Sequence, residues 1–308
     1  MFGKSIVYVL FLILVLGCTH IEKANSYEVV SPDGKNKIKF ELKESKPKYA
    51  VYHDTIEILT FSDMGFLLKD NEDLSSNFEI TNVENSVFDE TWEQVWGEKK
   101  NIRNHYNQLS VTLQEKSEAK RKLEIQFRAF NDGIAFRYLY PQQGKDSLVI
   151  MDELTSFNLK EDGDAWWIPA YRDNRYEYLT TKSPVSTLDT VHTPLTIKSK
   201  SGLSLSFHEA NLKDFASMTL ARTTGTTLKA DLVPWADGDR VKTNGSFTTP
   251  WRTLQIAETP GDLITSHIIL NLNDPNTIAD TSWIKPSKYL GIWSVSYTHL
   301  TLPTNREV

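Results

Sequence analysis

Hydrophobic and polar side chains alternate one for one in many short runs of this chain. Ile38, Phe40 and Leu42 interleave with Lys37, Lys39 and Glu41. Leu123, Ile125 and Phe127 interleave with Glu124, Gln126 and Arg128. Residues 109–113, 134–140, 203–207, 227–232, 254–257 and 267–272 read the same way. Successive strand side chains point to opposite faces, so this period of two predicts strands half buried against a second sheet. Turn residues punctuate the runs. Asn131-Asp-Gly133 separates two of them, and Asp-Gly favours a tight hairpin because it tolerates positive φ. Ser31-Pro-Asp-Gly34, Lys200-Ser-Gly202 and Asp237-Gly238 act similarly. No segment carries a long helical period; residues 71–76 and 210–215 are expected to hold a turn or two of helix.

Many strands and few helices predict an all-β fold, one large two-sheet antiparallel β-sandwich over residues 26–275. Two consecutive sandwich domains are the alternative. Residues 276–287 read as a linker broken by Pro286, and residues 288–293 as the first strand of a further domain. Residues 294–308 continue nothing. They read as a non-native tail, similar to a translated sequencing adapter.

Composition adds limits. The chain has 308 residues, 40% of them hydrophobic and 11% aromatic, which fits a globular protein. Net charge is −6 and no basic block stands out, so nucleic acid is not an expected partner. Residues 1–18 read as a signal peptide. Lys4 precedes an apolar stretch of about eleven residues, too short to span a bilayer. The stretch ends in Val15-Leu16-Gly17-Cys18, which is similar to a bacterial lipobox. Cys18 is then the lipidated residue, and the protein is exported to the periplasm or outer membrane and anchored by lipid only. An ordinary signal peptide with an incidental Cys is the other reading. Cys18 is the single cysteine, so no internal disulfide can form.

Phosphate loops, zinc helices and nucleophile elbows are absent from the sequence. Two segments concentrate polar and aromatic groups. The first is Thr91-Trp-Glu-Gln-Val-Trp-Gly-Glu98 with Arg103 and His105 beyond it. It reads as a long strand with a Trp-rich rim and local Arg–Glu pairs, as a docking surface for a second domain, or, last of the three, as a direct sugar contact. The second is Trp166-Trp-Ile-Pro-Ala-Tyr171 followed by Arg172-Asp-Asn-Arg-Tyr-Glu-Tyr178. Aromatic faces there suit the C–H faces of sugars, Asn174, Arg175 and Glu177 suit hydroxyls, and a loop carboxylate suits a hard cation such as Ca2+. A solvated loop with core tyrosines fits as well. His208-Glu209-Ala210 and Thr249-Pro-Trp-Arg-Thr253 are each placed to enter a buried Glu–Arg pair.

Taken in order, these blocks resemble the amino-terminal domain of glycoside hydrolase family 97. They are Ser31-Pro-Asp-Gly34, Thr91 to Glu98, Phe130-Asn-Asp-Gly-Ile134, Trp167 to Tyr171 with Arg175-Tyr-Glu-Tyr178, Phe207-His-Glu-Ala210, Thr249-Pro-Trp-Arg-Thr253, and Lys285-Pro-Ser-Lys-Tyr-Leu-Gly-Ile-Trp293. The resemblance implies a galactose-mutarotase-like super-sandwich followed by a (β/α)8 barrel, of which residues 288–293 are the first strand. It implies an α-glucosidase or α-galactosidase acting on α-linked oligosaccharides, with Ca2+ at the site of the intact enzyme. Glu177 is its implied metal ligand, and Trp293, Asn174, Arg175 and Glu177 its implied substrate contacts. The catalytic carboxylates of such an enzyme belong to the barrel, so this chain alone is expected to carry no catalytic residue and no turnover. A stand-alone carbohydrate-binding surface lipoprotein is the alternative.

Overall fold

The computed structural model describes residues 25–69, 73–144, 146–172 and 177–288. Strands dominate, and among the described residues they form three antiparallel sheets. The first, of eight strands, runs in the spatial order β1 (Ser26–Val30), β2 (Asn36–Lys43), β3 (Lys46–His53), β4 (Ile56–Asp63), β11 (Ser156–Leu159), β18 (Thr227–Leu232), β17 (Met218–Thr224) and β14 (Thr190–Val191). The second, of ten, runs β13 (Thr181–Pro184), β12 (Gly163–Trp167), β15 (Leu195–Ser199), β16 (Ser204–Ala210), β21 (Trp251–Ala257), β9 (Gly133–Tyr140), β8 (Lys122–Phe130), β7 (Asn101–Glu115) and β6 (Phe78–Glu93), with β20 (Phe247–Thr248) pairing β9. A small third sheet joins β19 (Val241–Thr243), β10 (Leu148–Glu153) and β5 (Phe66–Leu68).

The two large sheets face each other across one aromatic core. Phe40 of β2 meets Phe127 of β8 at 5.8 Å, and Tyr49 of β3 meets Phe136 of β9 at 4.7 Å. Phe157 of β11 meets Phe207 of β16 edge-on at 5.3 Å. The small sheet closes one side, where Phe66 packs on Tyr138 and Phe247. These offset and tilted ring pairs add attraction beyond the area they bury. The expected all-β two-sheet sandwich is therefore the fold.

The hairpin at residues 131–133 forms as its turn residues predict, with Phe130 opposite Gly133. Glycine is required there by close approach as well as by φ. A Cβ on Gly133 would run into the Leu254 carbonyl oxygen of the neighbouring strand β21.

Four local expectations are corrected. Residues 267–272 are not a strand: α2 (Ile268–Leu272) is a short helix following α1 (Pro260–Thr265). Ile268 and Leu272, four apart, bury one stripe against Tyr106 and Trp251, and a five-residue apolar run does not separate that stripe from a strand face. Residues 211–215 are not helical, and Asn211 and Asp214 take left-handed φ of 56° and 48°. Asn and Asp tolerate this conformation locally, and it breaks a helix. Within residues 71–76, positions 71 and 72 lie outside the described residues, and Leu74 makes a β-bridge to Phe66. The Trp-rich stretch is not one long strand. It turns over between β6 and β7, with Gln94 N–H donating to the Lys100 carbonyl across the turn.

Candidate functional site

The hairpin β12–β13 sits at the edge of the ten-stranded sheet, with Trp167 opposite Thr181. The stretch between its two strands is residues 168–180, of which 173–176 lie outside the described residues. Its first half is stitched to the other sheet: Ala170 N–H donates to the Thr190 carbonyl, and His192 N–H donates to the Ile168 carbonyl. The Trp167 indole donates to Ser183 Oγ at 3.0 Å. Trp166 stays partly exposed, with the Lys182 ammonium 5.1 Å from its ring centre.

Tyr171 anchors the loop lip. It holds a left-handed φ of 57°, a costly conformation for a residue with a bulky side chain. Its hydroxyl donates to Asp231 Oδ2 at 2.7 Å. Burial, and then the Asp231 carboxylate, push that hydroxyl's pKa up against the lowering contact with Thr219. Arg172 reaches towards Asp189 at 4.0 Å, both exposed. Glu177 is exposed on the returning side of the loop. Asn174 and Arg175 lie outside the described residues, as do Trp293 and Cys18. No group of three or more His, Cys, Asp or Glu stands together among the described residues. A Ca2+ ion takes six to eight oxygens, and no cage of three or more such side chains stands among the described residues.

The other polar segment forms an arm. β7 pairs β8 only from Tyr106 onward, so residues 89–93 and 101–105 stand as a two-stranded ribbon. Arg103 grips Asp89 with two bonds of 2.8 and 2.7 Å, which lower that carboxyl's pKa. The local partner is thus an aspartate rather than the expected glutamate; Glu93 pairs with Lys100 instead. The arm is tied to α2, where the Trp92 indole donates to Asn271 Oδ1 and the Asn271 amide donates to the Arg103 carbonyl. Its tip presents Val95, 47% exposed, and Trp96, 58% exposed, to solvent.

The expected Glu–Arg pair is present, and it is larger than the sequence indicated. Arg252 on β21 donates to Glu209 on β16 at 2.7 Å and to Glu153 at the end of β10 at 2.9 and 2.5 Å. Arg252 and Glu153 are fully buried. Burial alone would depress the Arg252 pKa, but the two carboxylates hold it above its ordinary value. With two acids against one base, Glu209 is pushed up, chiefly by burial. The triad is shielded from solvent and binds the small sheet to the ten-stranded one. Glu153 escaped the sequence reading; its signal is a carboxylate closing the apolar run Leu148-Val-Ile-Met.

On the outer face of the same sheet, Trp251 lies between two guanidiniums, Arg128 and Arg137, each 4.4 Å from its ring. Arg128 also stands 4.2 Å over Tyr106, which stacks on Phe88. Burial lowers the pKa of both arginines, that of Arg128 to about 10. This aromatic–arginine ladder is floor for α2.

The comparisons with known proteins agree with this architecture. The model of the family described as Glycosyl-hydrolase 97 N-terminal matches residues 29–275. A retaining alpha-galactosidase of Bacteroides thetaiotaomicron is 23% identical over 92% of this chain and 46% of its own length. A probable retaining alpha-galactosidase of Streptomyces bingchenggensis is 26% identical over 72% of this chain and 33% of its own. The chain thus spans less than half the length of these curated relatives. Among solved structures, a glycoside hydrolase family 97 enzyme from Pseudoalteromonas sp. strain K8, in complexes with panose and with acarbose, superposes with a TM-score of 0.85. It is 40% identical, over 89% of this chain and 42% of that one. A match covering most of the sandwich, at that identity, shows that this chain belongs to glycoside hydrolase family 97, as its amino-terminal domain.

Proposed function

We propose that the chain is the sandwich portion of an exported α-glycoside hydrolase, an α-glucosidase or α-galactosidase whose chemistry lies in a (β/α)8 barrel. The sandwich braces that barrel and walls one side of the sugar pocket with the loop at residues 168–180. The carrying observation is the superposition, at 40% identity, on two-fifths of a family 97 enzyme complexed with panose or acarbose. The alpha-galactosidase relatives support the same class. In this reading Asn174, Arg175 and Trp293 meet the sugar, and Glu177 meets it and a Ca2+ ion. When bound, the ion supplies a fixed positive charge beside the sugar hydroxyls. Cys18 carries a lipid that holds the enzyme at a membrane surface.

The exposed arm fits the bracing role. Trp and Tyr are favoured at interface cores, and Trp92 and Trp96 are displayed on a ribbon tethered to α2. Barrel carboxylates would protonate the leaving oxygen and act as base or nucleophile. The purified chain alone is accordingly expected to leave aryl α-glucosides and aryl α-galactosides intact. Turnover of either by this chain would overturn the division of labour.

A further inference from the structure

One cleft is absorbed by neither the loop nor the arm. It has a volume of about 340 Å3 and lies between the turn after β18 and the segment before β17. That volume falls within the roughly 300–1,000 Å3 of small-molecule sites. Phe215, Val233, Pro234 and Val241 contribute apolar wall. Trp235 stands on the turn that leaves β18, 62% exposed although it is a large apolar side chain.

The turn that carries the indole is fixed. Its backbone is locked by two turn bonds, Trp235 N–H to the Asp239 carbonyl and Gly238 N–H to the Trp235 carbonyl. The Lys242 ammonium lies 5.8 Å from the ring centre and is itself fixed by Asp237 and Asp239. Arg240 is tied to the Leu232 carbonyl and lies 3.6 Å from Asp231, the carboxylate that holds Tyr171. Asp214 also lines the cleft, exposed in a left-handed turn, with no hydrogen bond or ion pair among the described residues. A fixed aromatic face, an apolar wall, an uncommitted carboxylate and tethered cations match a pyranose. The ring's C–H face covers the indole while the carboxylate accepts from hydroxyls.

We propose that this cleft is a binding subsite for a neutral α-linked oligosaccharide, with Trp235 as its platform and Asp214 as its hydroxyl acceptor. The choice of ligand class rests on the glycosidase reading above; the site's geometry does not. Titration calorimetry of the full chain with maltotriose and with melibiose tests it, the two sugars separating a glucosyl from a galactosyl preference. Binding of at least one is expected. Trp235→Ala should weaken it about tenfold or more, equivalent to about 1.4 kcal/mol, with Trp235→Phe restoring most of it. Asp214→Asn should weaken it several-fold. Trp283→Ala, which removes another exposed indole, should leave it unchanged. Unfolding midpoints equal to wild type show that the variants are folded. Failure of both sugars to bind the wild type, or unchanged binding in folded Trp235→Ala, would overturn the subsite. Either result would leave the glycosidase reading standing, because that reading depends on a barrel and not on this cleft.

Discussion

The Arg252 guanidinium and the Glu153 carboxylate meet in the buried core through two parallel hydrogen bonds, Nε to Oε1 at 2.9 Å and Nη2 to Oε2 at 2.5 Å. The pair joins two sheets, since Arg252 lies on β21 and Glu153 on β10. A planar guanidinium suits this fork, and Glu209 accepts from Nη1. Charges taken out of water are tolerated when they are paired and hydrogen-bonded.

Arg252→Met should therefore destabilise the fold by about 3–5 kcal/mol, the cost of leaving buried carboxylates without their partner. Urea unfolding measures it. Replacing Arg252, Glu153 and Glu209 together with apolar residues should cost much less than Arg252→Met alone, because no buried charge then remains. A triple variant as weak as the single one would contradict this account of the triad.

The same triad sets a pH dependence. Glu209 has its native pKa raised above the ordinary 4.5, first by burial. A raised pKa means that the native state holds the proton longer than the unfolded chain. The contribution of Glu209 to stability is thus full below about pH 4.5 and is lost as pH rises through the native value. The stability of wild type minus that of Glu209→Gln should fall as pH rises upward from 4.5. A difference that is flat or rises over that window would contradict it.

Glu177→Gln bears on the proposed metal contact. Placed in the complete enzyme, it should lower Ca2+ affinity, since a neutral amide replaces a charged oxygen ligand. Calcium titration followed by thermal shift reads this without recourse to activity. Unchanged affinity would remove Glu177 from the site.

What the sequence disclosed depended on whether a residue's environment left a periodic trace. Strands with one wet face, such as β2 and β18, alternate cleanly and were legible. β3 buries Tyr49, Ala50 and Val51 in succession and so lost its alternation. α2 is not distinguishable from a strand in sequence, because five apolar-rich residues satisfy both periods. Glu209 and Arg252 were legible as buried partners because each interrupts a β run. Glu153 was not, since its partner Arg252 lies in another sheet, far along the chain. The cleft at Trp235 left no trace, because Asp214 and Trp235 come together only through the fold. Tyr171 is legible as an aromatic, but its bond to Asp231 depends on the opposite sheet.

The central claim is that this sandwich is one part of a barrel glycosidase. Genomic DNA immediately 3′ of the Trp293 codon tests it most directly. The account predicts an open reading frame that runs on from Trp293 into alternating strands and helices, with carboxylates at the carboxy-terminal ends of the strands. A native stop codon soon after Trp293 would contradict it and leave a free-standing sandwich protein.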